Sequence, residues 1–262
     1  MCICRLRSVP LFSRNANDPV MLAHKIAGKV YRNILAMAHA RHIDITDDYV
    51  RWLLSINVGY LHYGNLHLFN YAAQRLPSAA PMLEIGSYCG LSTNLLTYYK
   101  RKNGAKNRLF TCDKWEFEDT ADIKTVPDSD ISMGELREFA KATYLRNVGM
   151  FSRDDLPYTI EAFSDEFFSE WLNESTITDV FGRTVALGGA VSFAYIDGNH
   201  SYEFAKRDFE NCDRFLERGG FILFDDSSDT GNLGSCRVAR EAGSSPRYEV
   251  VAKNPNYLLR KL

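Results

Sequence analysis

Asp197, His200 and the pair Asp225-Asp226 are the residues of this chain whose types and places could do chemistry. The apolar run Phe193 to Ile196 ends in Asp197-Gly198-Asn199-His200, and a second run, Phe221 to Phe224, ends in Asp225-Asp226. If the two runs are neighbouring parallel strands, their ends open on one edge and three carboxylates converge there. Like charges so close are costly unless something neutralises them. An all-oxygen set suits a hard divalent cation, Mg²⁺ or another, with positions left for water and substrate oxygens. His200 then stands where a neutral imidazole could take the proton of a hydroxyl whose pKa the cation lowers. Each residue also has a plainer account. Asp197 could cap the next helix, Asp225 and Asp226 could be turn residues, and His200 could bond a nearby carbonyl.

The elements that would position these residues form an alternating pattern. Met82–Ile85, Leu109–Cys112, Val191–Ile196 and Phe221–Phe224 are short apolar runs, each ending in Gly or an acid, as parallel strands covered on both faces require. Tyr202–Glu217 carries Ala205, Phe209, Cys212 and Leu216 on one helical face, and Gly219-Gly220 reads as its C-cap. A third strand is expected at Tyr158–Phe163, and Tyr248–Ala252 with Tyr257–Leu262 reads as a terminal antiparallel hairpin about Asn-Pro-Asn. The fold class is α/β: a doubly wound, mostly parallel sheet with a C-terminal antiparallel hairpin. Before it comes an all-helical stretch. Asp18-Pro19 opens a helix to about Ala40, Thr46 caps a second, and Asn65 caps a third that ends at Leu76. The expected organisation is a flexible arm over 1–17, a helical cap over 18–77 and a catalytic domain over 78–262. Within that domain an inserted lid covers about 114–157 and includes a helix at Met133–Arg146.

The first strand runs into "MLEIGSYCGLSTNLL", residues 82–96. Ligands of open α/β sheets bind at such strand ends. A dinucleotide site wants G-x-G-x-x-G, but Tyr88 stands where the second glycine would be and would crowd a pyrophosphate. S-adenosylmethionine has no phosphate. It needs a close backbone turn, here Glu84–Gly90, and a carboxylate for its ribose hydroxyls, here Asp113 at the second strand's end. Gly86 and Gly90 could instead be a plain tight turn, and Asp113 a strand-end cap.

The stretch "LEIGSYCGLST" resembles motif I of class I S-adenosylmethionine-dependent methyltransferases, in particular the cation-dependent catechol and caffeoyl-CoA O-methyltransferases. The stretch "YIDGNHSYE…GGFILFDDS" resembles the branch of macrocin-type sugar O-methyltransferases and cephalosporin-hydroxylase-like proteins. The likeness spans about residues 80–230. It implies cofactor contacts at Glu84, Gly86, Ser87, Tyr88, Gly90, Ser92, Asp113, Lys114 and Asp197, with Ser164-Asp165 at the adenine. Trp115 either stacks on the adenine or anchors the lid. Metal ligands would be Asp197, Asp225 and Asp226. In macrocin-type enzymes a histidine follows the metal-binding Asp by three residues, as His200 follows Asp197, whereas the catechol branch has lysine there. The implied activity is Mg²⁺-dependent methyl transfer to a hydroxyl of a sugar or glycosylated small molecule, with His200 as base. A catechol acceptor and a non-catalytic S-adenosylmethionine-binding subunit are the alternatives. An NAD-dependent oxidoreductase is a further one, weakened by Tyr88.

Composition has the profile of a soluble globular protein. The 262 residues are 45% hydrophobic and 24% charged, and 31 basic against 33 acidic residues give a net charge of −2. Neither nucleic acid nor an anionic membrane would be drawn to that balance. Six cysteines without a CxxC pair suit a reduced, cytoplasmic protein. Tyr60, His62 and Tyr63 offer an active-site wall, and exposed apolar positions on the N-terminal helices would suit a homo-oligomer.

Overall fold

Parallel strands come from the apolar runs because both of their faces are covered. The computed structural model describes residues 47–116 and 124–262; the expected arm and first helix lie outside the described residues. β1 (Met82–Ile85), β2 (Leu109–Cys112), β3 (Tyr158–Ile160), β6 (Val191–Ile196), β7 (Leu216–Phe224), β8 (Tyr248–Lys253) and β9 (Tyr257–Lys261) form one sheet of order β3-β2-β1-β6-β7-β9-β8. Pairing from β3 through β7 is parallel, and β9 is antiparallel to both β7 and β8. The strand order reverses between β1 and β6, so their carboxyl ends open a crevice where the two candidate segments meet.

The pleat sorts side chains into two cores. Leu83, Ile85, Phe110, Ala194, Ile222 and Leu259 lie on one face, covered by α5 (Ser164–Leu172), α6 (Tyr202–Phe215) and α7 (Gly234–Gly243). Met82, Leu109, Phe193, Tyr195, Leu223 and Leu258 lie on the other, covered by α1 (Asp48–Ile56), α2 (Gly64–Ala73) and α3 (Leu91–Lys102). Each fully buried Leu or Phe contributes about 1.5–3 kcal/mol of burial free energy. Helices α1 and α2 therefore share the sheet's own core.

Several element ends differ from expectation. Asp47 caps α1, its side chain accepting from the Tyr49 and Val50 amides at 3.1 and 3.4 Å. Asn65 does not cap the third expected helix: α2 begins one residue earlier, has no side-chain cap, and ends at Ala73 rather than Leu76. Gly219-Gly220 is not a helix C-cap. α6 stops at Phe215 and β7 starts at once, with Gly219 at φ 84 near a register irregularity in the β6–β7 pairing. β3 stops at Ile160, short of Phe163. α5, α7 and a small hairpin of β4 (Thr176–Thr178) and β5 (Thr184–Ala186) were not expected.

The 114–157 connection is the β2-to-β3 crossover. Its helix α4 (Met133–Phe151) starts at a capping box, Ser132 and Glu135 bonding each other's backbone amides. Its buried face, Ala140, Tyr144 and Val148, packs on Cys89 and Trp115. Among the described residues no helix is long and apolar enough to cross a membrane.

Candidate active site

The turn after β1 is built against two neighbours. The Gly86 amide donates to the Cys112 carbonyl at 3.0 Å, and a Cβ on Gly86 would stand 2.2 Å from the Asp197 carbonyl oxygen. With φ at 82, only glycine brings the turn this close to the end of β6. Gly90, at φ 88, opens α3, and a Cβ there would meet Val148 of α4 at 2.7 Å.

Asp113 clamps this turn. Its Oδ2 accepts from the Ser87 and Tyr88 amides, both at 2.8 Å, and from the Ser87 hydroxyl at 3.3 Å; its Oδ1 accepts from the Trp115 amide at 2.6 Å. Burial pushes the Asp113 pKa up, against the pull of these donors. Tyr88 and Trp115 both have left-handed backbones, φ 44 and 55, which cost energy unless the surroundings hold them. One carboxylate holds both. Asp113, expected to face ribose hydroxyls, also holds the turn, mainly through Oδ2, while Oδ1 takes the Trp115 amide.

The other expected cofactor residues divide. Glu84 lies fully buried under the turn, with Oε2 accepting from Thr93 Oγ1 at 2.5 Å and Oε1 without a partner among the described residues; burial pushes its pKa up to about 8. Ser87 and Ser92 are buried beside it. The Tyr88 ring stacks on exposed Tyr60, centroids 6.1 Å apart. Trp115 is anchored beside the turn. Its ring is buried, edge-on to Tyr144, and its Nε1 donates to the Tyr88 carbonyl at 2.8 Å. Lys114 pairs with Glu166 at 3.5 Å. Ser164 opens α5, but Asp165 is committed to α6, pairing with Arg207 at 2.8 Å and accepting from Asn211 at 3.3 Å. His62 takes the Gly64 amide on Nδ1 at 3.0 Å, so its ring serves the start of α2.

The carboxyl ends of β1, β6 and β7 lie side by side, the Asp197 amide donating to Ile85 and the Asp225 amide to Ile196 at 2.8 and 2.9 Å. Burial first, and then the negative charge of Asp225, raise the Asp197 pKa well above its ordinary value. Burial and the charge of Asp226 raise that of Asp225. His200 Nε2 stands 3.8 Å from both Asp197 Oδ1 and Asp226 Oδ2.

The three expected carboxylates share one sheet edge, with His200 between Asp197 and Asp226. Among the described residues no group of three or more His, Cys, Asp or Glu is placed to hold a metal ion. Asp226 has a left-handed backbone, φ 44, and a half-exposed side chain. Asp225 already gives Oδ1 to two amides. Asp197 and Asp225, an all-oxygen pair of buried acids that repel each other, still fit two positions around one hard cation.

Sequence reasoning missed the groups that hold this pair. Asp225 Oδ1 accepts from Asn65 Nδ2 at 2.6 Å and Asn256 Nδ2 at 2.9 Å. Asn65 also donates to Tyr195 Oη at 3.2 Å, and that hydroxyl donates to Asp197 Oδ2 at 3.1 Å. Asn256 donates to Asn65 Oδ1 at 3.0 Å and accepts from the Ser227 amide at 2.9 Å. The available signals, Asn at a helix start and Asn in a proline turn, are ordinary ones for cap and turn residues.

Residues 83–227 match the family model described as a methyltransferase domain. No curated protein matches the chain. Among solved structures the chain is similar to an O-methyltransferase from Bacillus cereus in complex with SAH (S-adenosylhomocysteine), at 15% identity and TM-score 0.55 over 84% of this chain and 93% of that one. It is similar to an SAH-bound methyltransferase from Podospora anserina, at 12% identity and TM-score 0.51 over 97% of this chain and 100% of that one. It is also similar to the calicheamicin methyltransferase CalS11, at 14% identity and TM-score 0.50 over 97% and 99%. At such identities the likeness is one of fold.

Proposed function

The chain belongs to the methyltransferase-domain family, and from that premise we propose that it transfers the methyl group of S-adenosylmethionine to a hydroxyl oxygen of a sugar or glycosylated small molecule. One observation carries the reading: the glycine turn touches the backbone of Asp197, and Asp197, Asp225 and His200 follow on the same sheet edge. Cofactor and proton acceptor would thus be neighbours.

The sulfonium methyl is already electrophilic, so the chain has to align the hydroxyl and remove its proton. The acceptor oxygen forms the new bond to carbon, the carbon–sulfur bond breaks, and sulfur keeps its electron pair. His200 Nε2 takes the proton, and the imidazolium formed is stabilised by Asp197 and Asp226, each 3.8 Å away. Asp197 and Asp225 would hold a divalent cation such as Mg²⁺, with Asp226 within reach of the same edge. When bound, that cation lowers the pKa of a coordinated hydroxyl. Glu84, Ser87 and Ser92 would face the methionine end of the cofactor. Ser164 would approach the adenine, and Asp113, which holds the turn, would also take the ribose hydroxyls. The spacing Asp197-x-x-His200 is what favours a sugar acceptor over a catechol.

The test is thermal unfolding with SAH, with NAD⁺, and with each plus Mg²⁺ or EDTA. It is followed by transfer of labelled methyl to panels of sugar nucleotides, glycosides and catechols. A ligand at about 100 times its Kd stabilises by about 2.7 kcal/mol. SAH should raise Tm, Mg²⁺ should raise it further, and NAD⁺ should do nothing. His200→Ala should abolish transfer and leave SAH affinity within about twofold, as removal of a general base predicts. SAH binding without transfer to any hydroxyl would favour the non-catalytic reading. No SAH response would sink the proposal.

A further inference from the structure

The acid pair does not stand unaided: two asparagine amides, from residues 191 positions apart in sequence, converge on one oxygen of Asp225. Asn65 and Asn256 are both buried to 1% exposure or less, and every polar atom of their side chains is used. Burying an amide without full hydrogen bonding costs free energy, so such sites persist only where the network is satisfied. Asn65 comes from the first turn of α2, where its side chain caps nothing. Asn256 comes from the turn between β8 and β9.

We infer that Asn65 and Asn256 are positioning residues that fix the Asp225 carboxyl and set its place relative to Asp197. The inference rests on the cation-dependent reading above and concerns what orients the two acids. With Oδ1 tied down by two donors, Asp225 presents Oδ2 in one orientation. Through Tyr195 Oη, Asn65 also reaches Asp197 Oδ2, so one amide couples both acids. Asn256 adds the loop: its Oδ1 takes the Ser227 amide, and Ser227 Oγ in turn accepts from the Tyr257 amide at 2.8 Å. The turn of the C-terminal hairpin is therefore built into the acid edge. Groups that orient a metal-binding carboxylate typically change metal affinity by about 10–100-fold when removed.

The experiment uses the full chain with Mn²⁺ as the probe, its binding followed by electron paramagnetic resonance, and SAH affinity followed separately by calorimetry. Asn65→Leu and Asn256→Leu should each weaken Mn²⁺ binding by about tenfold or more and leave SAH affinity within about twofold. Because both amides act on one oxygen, the double variant should lose less than the product of the single losses. Val238→Ala, a buried change on α7, is the control: it should lower Tm and leave Mn²⁺ binding alone. Unchanged Mn²⁺ affinity in both Asn variants overturns the inference while leaving the proposed function intact. Equal loss of Mn²⁺ and SAH binding overturns it too, because the asparagines then support the fold alone. A wild-type chain that binds SAH but no Mn²⁺ removes the cation from the proposed function, and this inference with it.

Discussion

At the scale of single residues, Glu84 makes the sharpest claim. Its carboxyl is fully buried, with one oxygen unpartnered among the described residues, and its pKa is raised from 4.5 to about 8. The folded state thus holds a proton that the unfolded state releases near pH 4.5. This contribution to stability is fully present below that pH and is lost as pH rises through 8. Glu84→Gln keeps the shape and cannot ionise. Without cofactor, the variant should unfold at nearly the wild-type Tm at about pH 5 and at a higher Tm at about pH 9, by an amount on the order of a few kcal/mol. Equal Tm differences at both pH values would refute the buried, protonated state. Asp113 makes the opposite case, since both of its oxygens accept hydrogen bonds. Asp113→Asn places an NH₂ or a single carbonyl before four donors, and leaves buried amides unmatched at about 1–3 kcal/mol each. Tm should fall and SAH affinity with it, because Tyr88 and Trp115 lose what holds their left-handed backbones. Legibility at this scale followed chemical type. Asp113, Asp197 and His200 stood out because their types and spacing beside a glycine turn fit one chemistry together, although each alone has a plainer account. Asn65 and Asn256 did not, because an asparagine at a helix start or beside a proline already has a local account, and their real partners are remote in sequence.

At the scale of elements, α4 links fold and turn. Its N-terminus is exposed and carries only the capping box, so Ser132→Ala should cost about 1 kcal/mol and leave SAH affinity unchanged. Its buried face meets the turn at Val148, 2.7 Å from a Cβ added at Gly90. Gly90→Ala should therefore lower both Tm and SAH affinity, with a backbone penalty of about 1–3 kcal/mol at that φ. Calorimetric unfolding beside SAH titration separates the two variants; a Gly90→Ala chain with wild-type SAH affinity would show that the turn does not contact the cofactor closely. β1, β2 and β6 were legible to the residue because strands covered on both faces are mostly apolar, Glu84, Thr111 and Ser192 being the exceptions. The β4–β5 hairpin was not, since Thr176, Thr178, Thr184 and Ala186 are exposed and only Val185 is buried. Gly219-Gly220 misled because a glycine pair marks a helix end and a strand irregularity with the same residues. α6 in fact runs into β7 with no connecting loop.

At the scale of the whole molecule, the residues with family-level motifs end at 227, but the site does not. Asn256 reaches Asp225, Tyr257 reaches Ser227, and β9 supplies the partner of β7 through Leu258 and Leu259. A chain cut after Arg247 keeps every residue that the sequence marks as catalytic, cofactor-binding or metal-ligating. It nevertheless loses four buried apolar side chains: Tyr248, Tyr257, Leu258 and Leu259. At about 1.5–3 kcal/mol each, their burial is comparable to the whole stability of an ordinary domain, about 5–15 kcal/mol. β7 would also become an exposed apolar edge, a template for association. The truncated chain is expected to aggregate or to lose its cooperative thermal transition, with no SAH-dependent rise in Tm. Size-exclusion chromatography and calorimetry decide this. A monomeric truncated chain that still unfolds cooperatively and is stabilised by SAH would show that the hairpin is an appendage, and that residues up to 247 suffice for the fold and the cofactor turn. Such an outcome would also confine the role of Asn256 to the orientation of Asp225, where the Mn²⁺ titration reads it independently of the fold.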